Sequence, residues 1–203
     1  VGLVEDFIQD STVSETAKSV AHGELVTLES SMTSSKERLI HIRTSLDQIG
    51  LHDNLTIVSA KMDLTRSSYT GDPVVSLHGM EDSGLWDEEE ITWNKMSDTG
   101  ITWYDGGRGN GTATVALADG NKSSSAFSFE ATQAVQNYLD SGDEFPLDMM
   151  LAVRGKYQSH TNGEGIQFHS TEAANSADMP SFTLTYKWGN GTAPAPVQLT
   201  APV

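Results

Sequence analysis

Short segments in which apolar and polar residues alternate, separated by turns, constrain the fold of this chain more than any other feature. The clearest segment runs from Phe182 to Trp188, where Phe182, Leu184, Tyr186 and Trp188 alternate with polar residues. A period of two places apolar side chains on one face of a strand and polar side chains on the other. A chain made of such segments buries one face of each sheet, which predicts an all-β fold.

Other segments with strand-like composition are separated by turns such as Asp105–Gly107 and Asp119–Asn121. The further predicted strands are Leu25–Glu29, Arg38–Leu46, Leu55–Leu64, Pro73–His78, Gly100–Tyr104, Thr112–Ala118, Met149–Arg154 and Gly165–His169. One helix is predicted at Ala131–Leu139, because Val135 and Tyr138 fall on one face. Many short strands with one short α-helix indicate an antiparallel β-sandwich of jelly-roll type.

The length and the two ends of the chain suggest one domain with short tails. A chain of 203 residues suits one sandwich. We interpret residues 1–9 as an N-terminal arm or edge strand and residues 10–188 as the sandwich. Residues 189–203 begin as a Gly/Pro linker, and Val197–Val203 resembles the first strand of an Ig-like or fibronectin-like domain. Either a following domain begins there, or an extended tail packs on its own domain or on a neighbour.

Charge and composition exclude several classes of function. The net charge of −16 repels a phosphate backbone, so we expect no nucleic-acid partner. The absence of cysteine excludes disulfides, thiolate metal sites and cysteine nucleophiles. No apolar run approaches the roughly 18 residues that cross a bilayer, so we expect no membrane insertion. The first residues lack the basic region of a signal peptide, and we interpret the chain as a mature form or an excised domain.

Several short motifs, spread in order over the body of the chain, resemble one known family. The segment Asp10–Val13 matches its opening strand, and Phe168–Glu172 carries Phe-x-Ser-x-Glu before a Pro-led strand that ends in Tyr186. Trp86–Asn94 resembles its Trp-x-Glu-x-x-Thr-Trp-Asn segment, with one extra residue before Thr92. Weaker matches lie at Arg38–Arg43, Ser59–Leu64 and Phe127–Val135. The chain thereby resembles a DNRLRE-type domain over residues 10–187, although the first of the weaker matches lacks the family's aromatic residue and aspartate.

DNRLRE-type domains are β-sandwich modules of microbial surface proteins, disaggregatase-related proteins and polysaccharide-degrading enzymes, and some members bind carbohydrate. The resemblance implies a non-catalytic extracellular or cell-surface module, carbohydrate-binding or adhesive, from a larger prokaryotic or viral protein. Its partner would be a polysaccharide or a cell-surface glycan. One alternative is a structural subunit of a surface layer, filament or virion appendage that associates with itself or with neighbouring domains through tails or edge strands. A second alternative is an accessory domain of a polysaccharide-degrading enzyme.

Aromatic residues near polar groups are the candidates for a sugar site, because a flat ring can stack on a pyranose face. Trp103 and Tyr104 lead into a Gly-rich turn that contains Arg108, and Trp86 is the next candidate. In the competing interpretation, Trp93 and one of the tryptophans Trp86 and Trp103 are core residues.

Oxygen-bearing side chains in loops favour a structural Ca²⁺ ion over other cofactors. Calcium prefers carboxylate, amide and carbonyl oxygens. The candidate ligands are Asp140 and Asp143 at the end of the predicted helix, and Asp105 and Asn110 in the Gly-rich turn. The histidines lack the spacing typical of a zinc site.

No catalytic motif is apparent, so we expect no enzymatic activity. The consecutive carboxylates Glu88–Glu90 would alternate between the faces of a strand, whereas the carboxylates of a glycosidase flank one bond at a set separation. The sequence also lacks the Gly-x-Ser-x-Gly motif of α/β-hydrolases and a phosphate-binding loop.

Overall fold

The fold is that of a computed structural model, which describes residues 8–34, 36–46, 55–73, 75–79, 86–95, 116–118, 125–141, 147–152, 163–188 and 197–200. Within these ranges the chain forms eleven β-strands and one α-helix. The strands are β1 Ile8–Ser14, β2 Thr27–Thr33, β3 Lys36–Thr44, β4 Leu55–Thr70, β5 Val75–Gly79, β6 Ala116–Ala118, β7 Ala126–Glu130, β8 Leu147–Ala152, β9 Glu164–His169, β10 Ser181–Trp188 and β11 Val197–Thr200. The helix α1, Thr132–Ser141, lies between β7 and β8 in the chain.

Antiparallel pairing joins all of these strands within the described ranges. The order is β11-β10-β4-β9-β2-β3-β8-β5-β6, with β1 also paired to β3 and β7 to β4. The all-β antiparallel fold with one short helix, which the alternation predicts, is therefore confirmed for the described residues. The jelly-roll connectivity stays a prediction, and the strand predicted at Gly100–Tyr104 lies outside the described residues.

The long strand β4 belongs to two sheets. Its first part pairs with β10 as far as Asp63, and its last part pairs with β9 from Arg66 to Thr70. The register shifts at two places on β4, which leaves Val58 without a partner on β10 and Ser67 without a partner on β9. An extra residue of this kind bends a strand and increases its twist. These two bulges explain how one strand pairs in both sheets.

Aromatic side chains from three strands form the centre of the main core. Phe168 of β9 meets Phe127 edge-on, with ring centroids 5.3 Å apart, and meets Phe129 at 6.4 Å. Phe182 and Leu184 of β10 are fully buried in the same cluster. The inward face predicted from the alternation in this strand is therefore the face that packs in the core.

The helix α1 is attached to β4 at its first residues. The Ala131 amide donates a hydrogen bond to the Ala60 carbonyl oxygen, and the Ala60 amide donates one to Thr132 Oγ1, each at 2.8 Å. Ala134 and Val135 are buried against the main core. The helix predicted at Ala131–Leu139 is confirmed, and it extends to Ser141.

A second, smaller hydrophobic cluster covers the opposite face of β1 and β3. It consists of Val13, Leu39, Trp86, Ile91 and Trp93, so residues 86–95 form a cover over this pair of strands. A side chain at position 23 would clash with the main-chain carbonyl oxygen of residue 88, so the loop before β2 needs its glycine to approach this cover. The prediction that Trp93 is a core residue is confirmed, with 5% of the residue exposed.

The end of the described chain adds a strand to its own sheet. The strand β11 pairs with β10, with Val197 opposite Leu184 and Thr200 opposite Ser181. Whether a further domain follows stays a prediction. In the described residues no helix is long and apolar enough to cross a membrane.

Candidate functional site

Most of the candidate residues from the sequence lie outside the described part of the chain. They are Trp103, Tyr104, Arg108, Asp105, Asn110 and Asp143. Their roles as ligand-binding or metal-binding residues stay predictions.

Trp86 lies inside the protein rather than on its surface. Only 4% of the residue is exposed, and the Arg43 guanidinium lies 4.6 Å from the centroid of its ring. A ring covered in this way presents no face to a sugar. Trp86 therefore has the core position that the competing interpretation considered, and our prediction of Trp86 as a sugar-stacking residue is corrected.

Asp140 lies exposed in the last turn of α1, where its Oδ1 accepts a hydrogen bond from Gln136 Nε2 at 2.8 Å. Across the ranges that the structure describes, no three His, Cys, Asp or Glu side chains are arranged as a metal site. The calcium site predicted near Asp140 thus has no support from the described residues, and its other predicted ligand there, Asp143, lies outside them.

An open polar groove runs across one face of β2, β9 and β4, with a volume of about 250 Å³. The register places Gln167 of β9 between Glu29 of β2 and Ser68 of β4. Side chains opposite each other on neighbouring strands project to the same face. The residues that line the groove are Glu29, Ser31, Thr33, Ser68, Tyr69, Thr70, Gly163, Glu164, Gly165, Ile166 and Gln167.

The floor of the groove is low at Gly165, which lies in the row of paired residues next to the row of Glu29, Gln167 and Ser68. Gly165 lies between Ser31 and Thr70 in the register. A Cβ atom at this position would lie 2.9 Å from the Cβ of Ser31, closer than ordinary van der Waals contact. The groove therefore depends on the absence of a side chain at Gly165.

Hydrogen bonds hold the polar side chains of the groove in place. Glu29 accepts one from Ser31 Oγ at 2.7 Å and one from Arg38 Nη1 at 2.5 Å. Ser68 Oγ donates one to Gln167 Oε1 at 2.7 Å. Fixed donors and acceptors lose little side-chain entropy when a ligand binds. The groove is thus preorganised for a ligand that forms many hydrogen bonds.

Tyr69 borders the groove but lies opposite the buried Ile166 in the register, so its ring projects to the other face of the sheet. The residue is 44% exposed, and the Arg66 guanidinium lies 4.8 Å from the ring centroid. The carboxylate, carboxamide and hydroxyl groups of the groove suit a ligand rich in hydroxyl groups. Alternation alone does not predict this groove, because polar residues on one face of a strand are equally typical of an ordinary solvent face; the available signal was the glycine pair Gly163 and Gly165 beside a polar strand.

Two carboxylates from distant parts of the chain lie near the buried Asp10, and we call the three acids the carboxylate cluster. They are Asp10 in β1, Glu88 in the cover and Glu172 in the turn after β9. The Asp10 amide donates a hydrogen bond to Glu88 Oε2 at 3.1 Å, and Asp10 Oδ2 accepts one from the Thr171 amide at 2.9 Å. Thr171 Oγ1 donates to Glu172 Oε1 at 2.8 Å.

Burial dominates the electrostatics of the carboxylate cluster. Asp10 is fully buried, and this burial raises its pKa well above the usual range. The charges of Glu172 and Glu88 raise the pKa further, while the hydrogen bonds from Thr171 lower it in part. Asp10 Oδ1 and Glu172 Oε2 are buried and have no hydrogen-bond partner in the described part of the chain.

Each of these three acids belongs to one of the motifs on which the family resemblance rests: Asp10 to the opening strand, Glu88 to the tryptophan-rich segment and Glu172 to the end of Phe-x-Ser-x-Glu. Sequence reasoning named the motifs without predicting that their acids converge. One acidic residue in each of three motifs was the signal that could have indicated a shared site.

The described residues therefore define an all-β antiparallel domain with one short helix, a polar surface groove and a buried carboxylate cluster. No protein-family model matches the chain, and a search of curated proteins finds no match. The resemblance to DNRLRE-type domains stays a prediction.

Proposed function

We propose that this chain is a non-catalytic carbohydrate-binding module of a larger secreted or cell-surface protein, and that it holds a polysaccharide in the groove across β2, β9 and β4. The groove is the observation that carries this proposal. It is open along the sheet, as a chain-like ligand requires, and its polar groups are already ordered. Sugar hydroxyls both donate and accept hydrogen bonds, which matches the carboxylate of Glu29 and the carboxamide of Gln167.

Charge narrows the class of sugar. The net charge of −16 repels a polyanionic polysaccharide. Glu29 adds a carboxylate within the groove itself, and both of its oxygens accept hydrogen bonds. A neutral polysaccharide avoids this repulsion. We therefore propose a neutral polysaccharide or a neutral cell-surface glycan as the ligand.

Replacing Gln167 or Ser68 with alanine is expected to weaken glycan binding by about tenfold each. The reason is that a lost hydrogen-bonding group costs about 1 kcal/mol or somewhat more, and 1.4 kcal/mol corresponds to about tenfold in affinity. A glycan array would first identify the neutral ligand, and calorimetric titration would then give the dissociation constants of the variants.

The matched control for Ser68→Ala is Val58→Ala, because Val58 lies on the same strand and is 45% exposed, but does not line the groove. This control should bind as the parent chain does. An array without any bound glycan would refute the carbohydrate-binding proposal. Binding that survives both groove substitutions would place the sugar elsewhere on the molecule.

One observation favours the second candidate function, a structural subunit that assembles through its edge strands. The strand β11 occupies the edge of β10 through only four residue pairs. The same main-chain hydrogen bonds could come from the β11 segment of another copy, as in strand addition. A subunit of a filament or surface layer would use this exchange.

Deleting residues 197–203 distinguishes the two candidates. If β11 protects its own domain, the full chain is a monomer, and the shortened chain associates because the edge of β10 is exposed. If β11 serves assembly, the full chain forms larger species and the deletion abolishes them. Light scattering measures both, and Leu199→Pro, which removes a main-chain donor and disturbs the strand pairing without shortening the chain, should behave as the deletion does.

A further inference from the structure

We infer that the carboxylate cluster binds one divalent cation of the calcium type, held by Asp10 Oδ1 and Glu172 Oε2. These two oxygens are buried and lack a hydrogen-bond partner in the described part of the chain. Asp10 is fully buried. The inference does not depend on the polysaccharide groove, because none of these residues lines it.

The cluster needs a compensating positive charge. Asp10 is hydrogen-bonded through Oδ2 alone, and a buried carboxylate with an unsatisfied oxygen is costly, more so when other carboxylates lie beside it. Glu172 and Glu88 both act on Asp10 electrostatically. A divalent cation would neutralise the charges of both Asp10 and Glu172, whereas a single shared proton would neutralise one of them.

Neighbouring groups hold the acids in orientations that suit a cation. Main-chain amides donate hydrogen bonds to Asp10 Oδ2 and Glu88 Oε2, and the Thr171 hydroxyl donates one to Glu172 Oε1. These bonds fix the side chains while leaving Asp10 Oδ1 and Glu172 Oε2 available, as outer hydrogen bonds do for metal ligands.

The chemistry of the donors favours calcium. All of the available donors are hard oxygens, and calcium accepts six to eight of them in flexible geometry, including main-chain carbonyls, hydroxyls and water. No three acidic or histidine side chains in the described ranges surround one point. The site therefore rests on two carboxylates, with other oxygens completing the shell, and Glu88 acts as a nearby charge that positions the Asp10 amide.

The test begins with the full chain, from which EDTA has removed bound metal. The chain is titrated with CaCl₂ by calorimetry, and its thermal unfolding is then measured with and without CaCl₂. We expect one ion per chain and a rise in Tm on the order of 5–10 °C at a hundredfold excess over Kd. Asp10→Asn and Glu172→Gln should each weaken binding at least tenfold. Asp140→Asn, which removes one exposed carboxylate at the end of α1, should leave binding unchanged.

Three results would overturn the inference. The first is that the parent chain binds no calcium. If the Asp10→Asn variant is then more stable than the parent in EDTA at neutral pH, the cluster holds a proton in place of a cation. The second is binding that only Asp140→Asn weakens, which would place the ion at the helix end. The third is unchanged affinity in Glu172→Gln, which carries the test if Asp10→Asn does not fold, because Glu172 is only half-buried.

Discussion

Replacing Phe168 with alanine should lower the free energy of unfolding by about 3–5 kcal/mol. The side chain is fully buried, so its removal exchanges favourable burial for a cavity. It also meets Phe127 and Phe129 edge-on, and such aromatic pairs contribute about 0.5–1.5 kcal/mol beyond their buried area. Because Phe168 joins β9 to β7 across the core, the loss weakens the contact between the two sheets that share β4.

Denaturation by urea, followed by circular dichroism, measures this loss directly. Each kcal/mol corresponds to about 2–4 °C in Tm for a chain of this size, so thermal unfolding gives an independent check. The control Phe168→Leu retains most of the apolar volume and should cost roughly half as much. A loss below about 1 kcal/mol for the alanine variant would contradict the central position of this ring.

The period-two alternation predicted the strands whose inner faces pack in the core, but it placed the first or last residue of several strands at the wrong position. The prediction for β2 began at Leu25, yet Leu25 and Val26 are 48% and 58% exposed and the strand begins at Thr27. Single apolar side chains are common on protein surfaces. Exposed apolar residues next to a strand can therefore extend its sequence pattern beyond its true end. The prediction for β4 ended at Leu64, whereas pairing with β9 continues the strand to Thr70 through a polar stretch.

The candidate sites were harder to predict than the strands, for a physical reason in each case. A tryptophan carries the same sequence signal whether it is exposed or buried, so Trp86 could not be assigned to the core until the Arg43 contact was known. The carboxylate cluster depends on contacts such as that between Asp10 and Thr171, which are 161 residues apart. Such contacts follow from the order of the strands, which alternation alone does not determine.

Arg43 holds residues 86–95 against the β1–β3 pair, so Arg43→Ala should lower the free energy of unfolding by about 2–4 kcal/mol. The residue is 5% exposed, its Nη1 donates a hydrogen bond to the Trp86 carbonyl oxygen at 2.5 Å, and its guanidinium stacks on the Trp86 ring. Leaving a buried acceptor unsatisfied costs about 1–3 kcal/mol, and a desolvated cation–π contact contributes up to about 2 kcal/mol. Arg43→Lys retains the charge but loses the planar guanidinium, and should recover only part of the loss.

The matched control is Arg38→Ala on the same strand, since the Arg38 side chain is 43% exposed and pairs with Glu29. An exposed ion pair contributes about 0.2–1 kcal/mol, so the control should cost less than Arg43→Ala, and equal losses would contradict the anchoring role of Arg43. Tryptophan fluorescence adds a second measurement, because Trp86 and Trp93 both lie in the small cluster. If their emission shifts to the red before the circular dichroism changes in Arg43→Ala, the cover separates first. If both change together, the cover belongs to the cooperative core, and the anchor contributes to the stability of the whole domain.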